Sequence, residues 1–344
     1  MKAVFKVLLV LVLCFGTIAY TNPEFDYMEM KLGSDLGIHE DKEISNETIK
    51  RVLEGVEKGN KESIYFFAIM KLYGLSLSKE PSIAAKNFEK AAKLGHPEAT
   101  TAYGLLLLHG LGVEKDEHMA ITYFRRAVQL KDTNAHWLLG KLLIEGRGVA
   151  APVHSEAFQL IQYAASKNVA QGQHLLGVMY EYGYGCQEDY ALAAEFYRRA
   201  SGQNYFESGY HLALMYAYGR IPPQQDFLKA LALLERGARA EHAPSVYYMG
   251  IFKMHGYGGM PDYERALNWF ERAAGMDDPR VSEKASLATK ELRELIQKAE
   301  DEHNALIDKY AERSERPSSL DDYEDDEAED MMPRGESGDE TSED

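Results

Sequence analysis

The chain repeats itself at a fixed period of 36 or 37 residues, and nothing else in it constrains the fold as strongly. The small residue of a recurring apolar-small step falls at Ala68, Gly104, Gly140, Gly177, Ala213 and Gly250, in steps of 36, 36, 37, 36 and 37. Five residues before each stands a second small residue: Ser63, Ala99, Ala135, Gly172, Ser208 and Ser245. Six residues after each stands a glycine: Gly74, Gly110, Gly146, Gly183, Gly219 and Gly256. Three further ladders keep the same beat. They are Ala84, Ala120, Ala157, Ala193, Ala230 and Ala266; Phe88, Phe124, Ile161, Tyr197, Leu234 and Phe270; and Ala91, Ala127, Ala164, Ala200, Gly237 and Ala273. Self-similarity at such a period is the mark of a solenoid, in which one unit cannot bury its apolar face and its neighbours do so.

Each unit reads as two short antiparallel helices. Small residues on the first helix allow close approach, and large apolar residues on the second, spaced by three and four, form one helical face. The glycine pairs Gly110-Leu-Gly112, Gly146-Arg-Gly148 and Gly183-Tyr-Gly185 end the first helix, because glycine enters the left-handed region cheaply.

The full pattern, A-x3-L-G-x2-Y-x2-G-x-G-V followed by D-x3-A-x2-W/Y-F-x2-A-A, resembles the Sel-one-like repeat, a relative of the tetratricopeptide repeat. The sixth unit carries it in Met249-Gly250, Gly256-Tyr-Gly258, Asp262-Tyr-Glu-Arg-Ala266, Trp269-Phe270 and Ala273-Ala274. The resemblance covers roughly residues 50 to 276. The first unit lacks the second glycine (Gly74-Leu-Ser-Leu), and the fifth replaces the turn with Gly219-Arg-Ile-Pro-Pro223, which predicts another loop shape there. The expectation is an all-α, right-handed α/α solenoid of about six helix-turn-helix repeats over residues 46–276, with capping helices at its ends.

Residues 1–19 read as a cleaved secretory signal. Lys2 and Lys6 precede the apolar run Val7 to Phe15, and Thr17-Ile-Ala19 supplies small residues at the cleavage site. The run is shorter than the roughly 20 residues of a spanning helix, and no later stretch is apolar enough to span. With the signal goes Cys14, so Cys186 remains, at the place other units give to Val113 and Val149; it reads as a packed small residue without a disulfide partner. Asn46-Glu-Thr48 is a glycosylation acceptor in a polar stretch, as suits a secreted chain.

Residues 20–45 lack periodicity and read as an irregular lead-in. Asn46 to Gly59 resembles half a unit, with Val52 and Gly55 in phase with Phe88 and Ala91. Asp277-Asp-Pro279 starts a further helix, and 277–315 reads as an amphipathic element whose first half caps the last unit. Its second half stays open between cap and partner-binding helix. Of the formal net charge of −17, most lies at the end: residues 318–344 hold 13 Asp and Glu against one Arg. Residues 316–344 therefore read as a disordered acidic tail, without the spacing of a calcium loop and without a Lys-Asp-Glu-Leu ending.

No catalytic motif stands out: no Gly-x-Ser-x-Gly, phosphate loop, His-Glu-x-x-His or paired cysteines. No catalytic, cofactor or metal residue is assigned. His109 and His255 share one place in their units, which repeat structure explains. The acidic balance and the lack of a basic stripe argue against nucleic acid. What remains is a surface. Counted from the small residue of the apolar-small step, positions −3 and +5 of the first helix lie on one side, and by analogy with tetratricopeptide arrays that side is concave. The candidate partner-binding residues there are Tyr65, Trp137, His174, Tyr210 and Tyr247 at −3, with Tyr182 and Tyr218 at +5. Tyr and Trp dominate interface energies; the other reading is that tight curvature buries these rings.

The resemblance implies a non-catalytic adaptor that binds proteins or extended peptides. Secretory eukaryotic members act in endoplasmic-reticulum-associated degradation, presenting misfolded glycoproteins to a membrane ubiquitin ligase. A lumenal or secreted scaffold unrelated to degradation is the alternative, and an enzyme in the concave groove is a third. Membrane association is expected to come through a partner, and the sequence leaves the oligomeric state open.

Overall fold

The computed structural model describes residues 44, 46–221 and 225–315. The signal at 1–19, the lead-in apart from Ile44, the tail at 316–344 and the centre of the fifth turn lie outside the described residues. Among these residues there are fourteen helices and no strand. Helix α1 spans Asn46–Glu57. Six pairs follow: α2 Lys61–Tyr73 with α3 Pro81–Lys93; α4 Pro97–His109 with α5 Glu117–Gln129; α6 Thr133–Glu145 with α7 His154–Ser166. Then come α8 Ala170–Tyr182 with α9 Tyr190–Gly202, α10 Phe206–Ala217 with α11 Phe227–Arg239, and α12 Ala243–His255 with α13 Tyr263–Ala274; α14 spans Pro279–Glu315. The chain divides into two units, one ending at Thr289 and the other starting at Lys290. The first is an all-α solenoid of six repeats; of the second, the helical residues 290–315 are described.

Local chemistry sets the helix ends. Asp116, Asp189, Asp226 and Asp262 each accept a hydrogen bond from the backbone N–H three residues on, capping α5, α9, α11 and α13, which satisfies one of the four orphan donors there. First helices end on left-handed glycines, Gly74, Gly110, Gly146, Gly183 and Gly256 among them. In the fifth repeat α10 stops one residue sooner, at Ala217, and Gly219 takes the positive φ.

In repeats two, three and four the second glycine of the pair, Gly112, Gly148 and Gly185, is required by contact as well as by φ. A Cβ on Gly112 would stand 2.2 Å from the Pro81 carbonyl oxygen, and one on Gly185 2.3 Å from that of His154. These three turns therefore sit on the backbone at the start of the previous repeat's second helix. Ser76, which replaces this glycine in the first repeat, keeps a left-handed φ of 54°.

Two kinds of small-residue contact hold the first unit together. Within a repeat, Gly104 faces Phe124, Gly140 faces Ile161, Gly177 faces Tyr197 and Gly250 faces Phe270, where a Cβ would come within 2.9 Å of the ring or side chain. The small residue thus makes room for the large one, and Phe88, Phe124, Ile161, Tyr197, Leu234 and Phe270 are all fully buried, each worth about 1.5–3 kcal/mol of transfer free energy. Between repeats, the second helix meets the next first helix through small residues on both sides, as at Ala164 with Gly172 and Gly237 with Ser245. Gly55 meets Ser63 in the same way, so α1 occupies the place of a second helix ahead of the first full repeat.

Candidate functional site

The first helices are enclosed by second helices and by their neighbours, so most of their length is core. Position −3 shows the consequence. Tyr65 is buried, stacked on His96 at 4.4 Å. Thr101 donates to Asp132. The His174 ring lies 5.1 Å from Tyr205, with its Nδ1 2.9 Å from the Ser208 hydroxyl. Tyr210 lies 6.2 Å from His242. His96, Asp132, Tyr205 and His242 are the residues that precede the first helices of repeats two, three, five and six. At Tyr65, Thr101, His174 and Tyr210, position −3 is therefore a joint between one repeat and the next.

Burial divides the expected aromatic row. Trp137 is 2% exposed, its indole N–H directed to Asn134 Oδ1, and Tyr65 and His174 are buried as well. Tyr210 and Tyr247 are half-buried, with ring contacts to Tyr248 at 5.2 and 5.6 Å. None of the three buried side chains is available to a partner.

Position +5 behaves differently, because it stands at the end of the first helix beside the turn. Tyr182 is 51% and Tyr218 61% exposed. Tyr182 stacks on Tyr184 at 5.8 Å and comes within hydrogen-bonding reach of Arg220. Tyr218 is within reach of Tyr248 and close to Tyr257, and Tyr257 in turn stacks on His255 at 5.3 Å. The turns of repeats four, five and six thus carry one edge of exposed Tyr, His and Arg. Arg220, Tyr248 and Tyr257 were not singled out by the sequence. Arg220 sits where the fifth turn breaks the repeat pattern, and that break was the signal for it.

Beneath this edge lies a polar cluster that the periodicity does not reveal. Buried Glu181 accepts from the Tyr197 hydroxyl and from Arg220, each at 2.7 Å. His211 lies between Glu181 and Glu207, at 3.6 and 3.7 Å, and Glu207 reaches His242 at 2.9 Å. Burial alone would lower the His211 pKa, but the two carboxylates outweigh it and raise it to about 9. Both carboxylates are held below their ordinary range against the opposing effect of burial, Glu181 by His211 and Tyr197, Glu207 by His211 and His242. His174 is pushed down to about 3, first by burial and then by the charge of His211. The cluster couples Arg220 on the surface to the joints between repeats four, five and six. Among the described residues no group of three or more His, Cys, Asp and Glu is placed to hold a metal ion.

Asn46 is exposed, as the first residue of α1. Cys186 is half-buried, with its thiol 3.4 Å from the Met179 carbonyl oxygen and burial raising its pKa. No described helix is long and apolar enough to cross a membrane.

The Sel1 repeat family model matches residues 61–96, 97–132, 133–169, 170–205, 208–242 and 243–278, in register with the six helix pairs. The chitin synthase regulator SKT5 of Malassezia restricta is 34% identical over 127 residues, which is 36% of this chain and 9% of that protein. Among solved structures, the Sel1 repeat protein from Oxalobacter formigenes is 27% identical with a TM-score of 0.58, over 72% of this chain and 95% of that one. The c5321 protein, a protective antigen of uropathogenic Escherichia coli with an SLR fold, is 22% identical with a TM-score of 0.59, over 72% of this chain and 52% of that one.

Proposed function

The chain belongs to the Sel1-repeat family, and on that premise we propose that it is a non-catalytic adaptor of the secretory pathway that carries misfolded proteins to a membrane ubiquitin ligase. The coarser part, a protein-interaction scaffold, is what the family and the fold indicate. The observation that supports a docking role most directly is the exposed edge of Tyr182, Tyr218, Tyr257 and Arg220. Tyr and Arg supply large contact area and directed hydrogen bonds, and they are enriched among the residues that carry binding energy. The degradation role and the lumenal location rest on the family resemblance together with the leader-like start and the Asn46 acceptor.

A second reading comes from the curated relative, whose name says that it regulates chitin synthase. In that reading this scaffold regulates an enzyme by binding it. The shared stretch is a small part of that protein, so only the mode of action carries over. A lumenal or secreted scaffold without a role in degradation is a third outcome.

The test is affinity capture of the tagged full chain from its own cells in mild detergent, beside the Tyr182→Ala/Tyr218→Ala variant. A membrane ubiquitin ligase with lumenal chaperones, recovered by the parent and depleted in the variant, supports the adaptor. Recovery of a synthase points to the second reading. Extracellular proteins alone would end the degradation role. Sensitivity of the chain to an endoglycosidase, lost in Asn46→Gln, checks passage through the lumen.

A further inference from the structure

Helix α14 carries a heptad seam that the solenoid uses only in part. Ala285, Leu292, Ala299 and Leu306 stand every seventh residue, and Thr289, Ile296, His303 and Tyr310 stand four after each. This three-and-four alternation is the signature of a helix that packs along another helix. The seam begins as core, with Ala285 in one cluster with Val246, Phe252 and Ala273. Farther along, the same seam is bare: Leu306 is 49% and Tyr310 64% exposed, with Ile307 exposed beside them.

We propose that the exposed part of the α14 seam, from Ala299 onward, docks an amphipathic helix of another protein whose seam is flanked by lysine and arginine, forming a two-stranded coiled coil. Charge narrows the occupant. Beside the exposed part of the seam stand Glu300 and Glu302, then Ile307 and Lys309, with Asp301 and Asp308 on the outer face; Glu302 also lies 3.8 Å from Lys298. A second copy fits this poorly in either direction. In parallel register Glu300 falls opposite Leu295 and Glu302 opposite Ile307. In antiparallel register, with Ala299 opposite His303, glutamate falls opposite glutamate. Flanking charges of this kind set partner choice in coiled coils by opposing the like pairing. A basic flank instead meets both glutamates. The chain that follows the helix adds to the same field, since residues 318–344 hold 13 Asp and Glu against one Arg, and such a block speeds the encounter with a basic partner.

The proposal is tested with the full-length chain and two labelled synthetic helices, read by fluorescence anisotropy. One helix has Leu and Ile on its seam and Lys at every flanking position; the other has Glu at those positions. The Lys helix binds, more weakly as ionic strength rises, and the Glu helix does not. In Leu306→Gln/Tyr310→Gln, which leaves charge unchanged and alters exposed residues, binding of the Lys helix falls about tenfold or more, while the circular dichroism and denaturation midpoint stay put. Unchanged binding in that variant would mean that the acidic tail alone attracts the probe, and overturns the proposal. So would failure of the Lys helix to bind, equal binding of both helices, or a parent chain that sediments as a dimer which the variant splits.

Discussion

The Nε2 of His242 lies 2.9 Å from Oε2 of Glu207, tying the residue that precedes α12 to the first helix of the repeat before it. Through Glu207 the tie extends to His211 and Glu181, so one polar network runs through the joints of repeats four to six. His211 keeps its proton up to about pH 9 in the fold, against about 6.5 unfolded. Its contribution is whole below pH 6.5 and is lost as pH rises toward 9. Glu181 and Glu207, both depressed, contribute above the ordinary carboxylate range and cease to as pH falls through it. His174, neutral in the fold down to about pH 3, opposes stability as pH drops below 6.5. Stability from this cluster is therefore greatest near pH 6.5 and falls on both sides, by at most about 1.4 kcal/mol per pH unit for each proton. Urea midpoints taken from pH 4.5 to 9 should show the alkaline limb flatten in His211→Gln and the acid limb in His174→Gln. An alkaline limb that persists in His211→Gln would refute the assignment.

Ala120 and Ala157 are fully buried members of one ladder. Ala120→Leu or Ala157→Leu adds three carbons where neighbouring helices leave no space, at a cost of about 1–3 kcal/mol. The measurement is a denaturant midpoint against the parent chain. An unchanged midpoint would show that the ladder does not set the packing.

How much of this was legible in the sequence follows from what repeats. Contacts made identically in every unit leave a ladder, and so the helix pairs, their turns and the small-on-large fit of Gly140 with Ile161 could be read from spacing. Position −3 also recurs, but spacing fixes only which side of the helix it takes. Whether that side is open depends on how closely the next repeat sits, and at Tyr65 the contact with His96 closes it. The cluster of Glu181, Glu207, His211 and His242 occurs once, at the joints of three repeats, and single occurrences leave no periodic mark. Arg220 belongs to this class.

A further ladder is carried by backbone conformation and not by residue type. Gly59, Gly95, Lys131, Asn168, Asn204 and Glu241 keep the period and all have positive φ, at the turn from second helix to next first helix. The residue types differ, so composition hides what the backbone shares. Lys131 has a φ of 65° and is exposed. Lys131→Gly relieves the left-handed strain, part of which is offset by the greater freedom of glycine in the unfolded chain, and should stabilise by about 0.5–1 kcal/mol. A thermal midpoint at or below that of the parent would contradict this.

The separation between joint residues and edge residues can be tested by pairing two substitutions. Trp137 fills the interior of the stack, so Trp137→Ala removes a buried ring and should cost about 3–5 kcal/mol. Tyr218 is 61% exposed, and Tyr218→Ala should change stability by no more than about 0.5 kcal/mol, as surface changes usually do. Capture of partners should respond in the opposite order when compared at equal folded concentration, below the unfolding temperature of both variants. Tyr218→Ala loses partner with its fold intact. Trp137→Ala keeps partner in whatever fraction remains folded, because its ring faces the protein interior. If Tyr218→Ala captures as much as the parent chain while folded Trp137→Ala captures none, the docking surface is not the turn edge, and the buried row must open to reach its partner.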